Sequence, residues 1–91
     1  MQVQPSYSDE SLRAAILAML AADERITNTG LRVGVLNGIA HLAGSVDSLV
    51  KRAAAEELAM QVAGVRGVVN RIEAPGAPNP AREINLDLKN G

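Results

Sequence analysis

The stretch Leu31 to Val46, LRVGVLNGIAHLAGSV, constrains this chain more than any other. Leu31, Val33 and Val35 are apolar at every second position, the period of a strand with one buried face. Asn37-Gly38 follows, and both central residues of a type I′ turn need positive φ, which this pair tolerates well. The chain then returns through Ile39 to Val46. A two-residue turn sets the register: Leu36 opposite Ile39, Val35 opposite Ala40, Val33 opposite Leu42 and Leu31 opposite Gly44. One face therefore carries Leu31, Val33, Val35, Ala40, Leu42, Gly44 and Val46. The other carries Arg32, Gly34, Leu36, Ile39, His41, Ala43 and Ser45. A slip of one residue would bury His41 and expose Leu42, so the first face is assigned to the core.

Two helices are predicted to cover that face. Ser8 is a good N-cap, and Asp9 and Glu10 suit the positive end of a helix dipole. Leu12, Ile16, Met19 and Leu20 then form one stripe of an amphipathic helix from Asp9 to Ala22. Arg13 and Ala18 fall on other faces, and Ile26 is expected to tuck back onto the core. After the hairpin, Asp47 or Ser48 caps a second helix, running to about Ala63. Its stripe is Ala55, Leu58, Ala59 and Val62, with the stems of Lys51 and Arg52 along the edge. Gly64 is read as the left-handed residue that ends it. Val65 to Glu73 reads as a third strand, with Val68, Asn70 and Ile72 on one face and Val69, Arg71 and Glu73 on the other. Gly44 is expected to let a helix approach the sheet. The fold class that follows is α+β, a two-layer αββαβ sandwich with both helices on one face of a three-stranded mixed sheet.

The chain divides into a loose N-terminal arm (1–7), a folded domain (8–73), a Pro-rich linker (74–81) and a C-terminal segment (82–91). That last segment alternates like a strand, with Ile84, Leu86 and Leu88 on one side. Its pairing is open between an edge of this sheet, a neighbouring chain and the start of a following domain.

Composition limits the chemistry. With 91 residues there is room for one domain, and its core must be aliphatic, since Tyr7 is the only aromatic residue. A formal charge of −1 gives no bulk field toward nucleic acid, so no nucleic-acid partner is expected. There is no cysteine, and the one histidine, His41, reads as a surface residue and cannot build a two-histidine metal site within one chain. The carboxylate pairs Asp9-Glu10, Asp23-Glu24 and Glu56-Glu57 diverge by about 100° on a helix and do not meet on one substrate atom. Gly30, Gly34, Gly38 and Gly44 lie in and around a hairpin and make no phosphate loop at the start of a helix. The Gly64-Val65-Arg66-Gly67 run has the form of a KH-type GxxG loop, but it leads from a helix into a strand and carries one charge. No catalytic, cofactor or metal-binding residues are assigned, and the expectation is a protein that is not an enzyme and needs no cofactor.

From about Ser8 to Glu73 the residues resemble a BON domain, the bacterial module named for osmotically induced and nodulation proteins. The likeness rests on VGVLNGIAHLAGSVDS, on the alanine-rich helix after it, and on GVRGVVNRI, where Gly64, Val65, Val68 and Asn70 match the closing pattern. The resemblance implies the same αββαβ sandwich and a non-enzymatic binding role. It also implies a bacterial cell-envelope and stress-response setting, often periplasmic, although the residues before Ser8 have no signal-peptide pattern and the chain, if complete, would be cytoplasmic. The expected function is a binding module for another protein, or for itself, through the open sheet face or a sheet edge. Arg32, Leu36, Ile39, His41, Val69 and Arg71 are the candidate interaction surface. The alternative is peripheral binding of anionic phospholipid, with Arg66 and Arg71 as headgroup contacts.

Overall fold

The computed structural model describes residues 8–77. The elements run α1 (Asp9–Ala22), β1 (Arg32–Leu36), β2 (Ile39–Ser45), α2 (Leu49–Met60) and β3 (Gly67–Glu73). The expected N-terminal arm and the C-terminal strand-like segment lie outside the described residues.

Helix α1 starts as its cap residue dictates. The Ser8 hydroxyl accepts the Ser11 backbone N–H at 3.0 Å, and the Ser11 hydroxyl donates to the Ser8 carbonyl at 2.9 Å. Leu12, Ile16 and Leu20 are buried, whereas Met19 sits at the margin of the stripe and is half-buried. Ile26 does tuck back and is 2% exposed.

The hairpin has the predicted register: Val33 pairs with Leu42, Val35 with Ala40 and Leu36 with Ile39. Asn37 has φ of 53° and Gly38 of 81°, the positive values that the turn demands. The sheet order is β1-β2-β3, with β1 antiparallel and β3 parallel to β2. Both helices lie on the Val33, Ala40, Leu42 and Ile72 side, because Ile16 and Leu20 of α1 and Ala54, Ala55 and Ala59 of α2 share one core cluster with them. The fold class is the expected α+β sandwich.

Local details differ from the sequence reading, each for a physical reason. Helix α2 is capped by Ser48, one of the two expected residues, but it ends at Met60 instead of near Ala63. Beyond Gln61 the chain tightens into turns, with Val62 N–H bonding to the Ala59 carbonyl and Val65 N–H to the Val62 carbonyl. Val62 still packs on the core, so the apolar periodicity outlasts the helix that carries it. Gly64 does have positive φ, 98°, but it belongs to this turn. Ala54 is as buried as Ala55, because a helix lying flat on a sheet buries small residues on both sides of its contact line. Gly44 makes room for Leu31, the residue just before β1, not for a helix. A β-carbon there would stand 2.8 Å from Leu31 Cδ2, and the backbone φ is +131°.

Candidate interaction surface

The register of the two strand pairs builds the outer face of the sheet row by row. Leu36, Ile39 and Gly67 form the row nearest the turn. Gly34, His41 and Val69 form the next, and Arg32, Ala43 and Arg71 the third. Ser45 and Glu73 close the far end. All six residues proposed from sequence for an interaction surface therefore lie on this one face. Among the described residues no helix covers it, since both pack on the opposite side. Leu36 is 62% exposed, Arg32, His41 and Arg71 are exposed, and Ile39 and Val69 are half-buried. The face has two halves. Leu36, Ile39 and Val69 make the turn end apolar, while Arg32 and Arg71 flank Ala43 two rows away.

Arg66 does not join Arg71. Its backbone N–H donates to the Gly38 carbonyl at 2.8 Å and its guanidinium to the Asn37 carbonyl at 3.2 Å. Its methylenes lie against Gly38, where a β-carbon would meet Arg66 Cδ at 2.8 Å. Arg71 stands five residues further along, about 16 Å of extended strand. The two arginines named as a headgroup pair are thus apart. Arg71 instead shares a row with Arg32.

Sequence reasoning missed the grip on the hairpin turn. The Asp9 carboxylate accepts the backbone N–H of Asn37 at 2.9 Å and of Gly38 at 3.0 Å. Asp9 thus sits in the first turn of α1 and anchors a turn 28 residues away along the chain. Its sequence signal, an acid at a helix start, fits the dipole alone and gives no hint of the second task.

The sheet edges were also opaque in the sequence. Arg13 Nε of α1 donates to the Val33 carbonyl on the outer edge of β1 at 2.9 Å. On β3, Arg52 donates to the Ile72 carbonyl at 2.8 Å and to the Asn70 carbonyl at 2.9 Å. The Asn70 side-chain oxygen accepts the Ile72 N–H at 3.0 Å, and its amide reaches the Arg52 carbonyl and the Glu56 carboxylate. Each helix therefore caps the edge strand beneath it with an arginine, which blunts the edge as a template for further pairing. Asn70 was detectable as a polar residue alternating with Val68 and Ile72 on the buried side.

Other exposed apolar side chains lie on α2, Leu49 and Val50 at its start and Met60 at its end, with Val50 67% exposed. Counting the stripe from the alanines hides them.

Beyond the end of α1, Arg25 donates two bonds to the Asp23 carboxylate, at 2.9 and 2.7 Å, and holds its pKa down from 3.8 to about 2. Among the described residues no group of three His, Cys, Asp or Glu side chains is placed to hold a metal, and no helix is long and apolar enough to cross a membrane.

Comparison with known proteins gives one result of substance. The family model described as "BON domain" matches residues 8–76. That span contains every element of the fold and all the surface residues named above. No curated protein matches the chain.

Proposed function

The chain belongs to the BON domain family, a family of binding modules, and from that premise we propose that it binds another protein, or a second copy of itself, through the outer face of its sheet. One observation carries the proposal. Strand register gathers Leu36, Ile39, His41 and Val69 with Arg32 and Arg71 onto a face that neither helix covers. Contiguous apolar residues rimmed by charge are the usual composition of a protein contact surface. The helix-side edge bonds of Arg13 and Arg52 favour the face over the edges as the contact, because the groups that a new strand would pair with are partly occupied.

The phospholipid reading draws less support. Its two proposed headgroup arginines are separated, and Arg66 is engaged at the hairpin turn. The described residues contain no Trp or Phe to sit at a membrane interface.

A photo-crosslinking amino acid placed at Leu36, at Val69 or at Val50 tests the proposal in cells. Adducts to a protein from Leu36 and Val69, absent from Val50, support it. Adducts from Val50 alone would move the interface to α2 and overturn it.

A further inference from the structure

The row Arg32, Ala43, Arg71 deserves its own chemistry. Two strand spacings put the two arginine β-carbons about 10 Å apart, on either side of a methyl group. His41 and Ser45 lie two residues before and after Ala43 on the same strand face, so Ala43 has a side chain with hydrogen-bond donors as its neighbour in each of four directions. The ion pairs among the described residues are Arg25–Asp23 and Lys51–Asp47, so neither Arg32 nor Arg71 enters one. One carboxylate, Glu73, shares this end of the face, opposite Ser45. Two guanidiniums against one carboxylate leave a single net positive charge.

We infer that this row receives one carboxylate, an Asp or Glu side chain on an extended acidic-apolar segment of the partner protein. The inference rests on the proposed function above and names the partner's chemistry. Guanidiniums match a carboxylate in planar, bidentate geometry. A net charge of one complements a monoanion, and Glu73 works against a phosphate dianion or a densely anionic surface. The apolar side chains Leu36, Ile39 and Val69 begin one to two rows away, on the turn side. The partner segment therefore presents apolar side chains on the same face as its acid, spaced as in an extended strand.

The test uses the full chain, labelled for NMR, and a capped peptide of sequence Leu-Thr-Val-Thr-Asp, with its Asp→Asn counterpart as control. Inorganic phosphate and phosphatidylglycerol vesicles are titrated separately. The expected result is saturable shifts at Arg32, His41, Ala43 and Arg71, weakened by about tenfold or more in the Asn peptide, since a charge-assisted bond is lost. Arg32→Gln and Arg71→Gln each weaken the Asp peptide, and both sites are exposed, so the fold is kept. Ala43→Leu, which puts a larger side chain between the two arginines, also weakens it. Equal binding of the two peptides, no shifts at millimolar peptide, or shifts centred away from Ala43 would overturn the inference. Phosphate or vesicles acting on the same residues at lower concentration than the peptide would overturn it as well. If the peptide fails while crosslinks from Leu36 persist, the face is still a binding surface and only the carboxylate assignment falls.

Discussion

At the residue scale, the fold depends on a few side chains with very different exposure. Leu42 is fully buried at the centre of the sheet, and Leu36 on the adjoining strand is mostly exposed. Leu42→Ala is expected to destabilise by about 2–5 kcal/mol, because it removes packed atoms and leaves a cavity. Leu36→Ala is expected to stay within about 0.5 kcal/mol, as at other exposed positions. Chemical denaturation of the two variants measures both. Asp23 gives a pH-dependent signature. Its folded pKa lies below its ordinary value because Arg25 hydrogen-bonds the ionised form. A lowered carboxyl pKa adds stability that is present above the ordinary value of 3.8 and is lost as pH falls through about 2. An NMR titration of the Asp23 carboxyl carbon should show a midpoint near 2, and Arg25→Ala should return it toward 3.8. These side-chain partnerships were unevenly legible. The burial of Leu42 follows from alternation alone. The bond from Asp9 to the hairpin turn does not, because a sequence pattern cannot report a contact between residues so far apart in the chain.

At the scale of elements, the hairpin was the most readable part of the chain. Its turn chemistry and its two-residue period point to the same register, so local and global preferences agree. Helix α2 was less readable at its end. Val62 continues the apolar period into a turn, and period alone does not separate a helix from a turn that packs the same way. The edge caps were unreadable, since long arginine side chains have no periodic signature for where their heads go. Two expectations belong here. Asp9→Ala removes the acceptor for the Asn37 and Gly38 amides along with a favourable charge at the start of α1, and should cost about 1–2 kcal/mol. Hydrogen exchange at those two amides should accelerate. Arg52→Ala frees the Asn70 and Ile72 carbonyls on the outer edge of β3. Sedimentation of that variant should show more association through the unsealed edge than the parent chain.

At the scale of the whole molecule, the sheet separates two roles. One face collects the core residues of every element, and the other collects the candidate interaction residues from all three strands. The sequence already divided the hairpin into these faces. It left the strand order open, and the order is what puts Arg71 in one row with Arg32, across Ala43, whereas the five residues of extended chain from Arg66 to Arg71 keep those two apart. The binding proposal stands on that open face being accessible in the full chain. A soluble paramagnetic co-solute, added to the full chain with labelled methyl groups, measures this directly. The account predicts strong relaxation enhancement at Leu36, Ile39 and Val69, and weak enhancement at Val33, Ala40, Leu42 and Ile72. Equal enhancement on the two sides, or weak enhancement at Leu36, Ile39 and Val69, would contradict it.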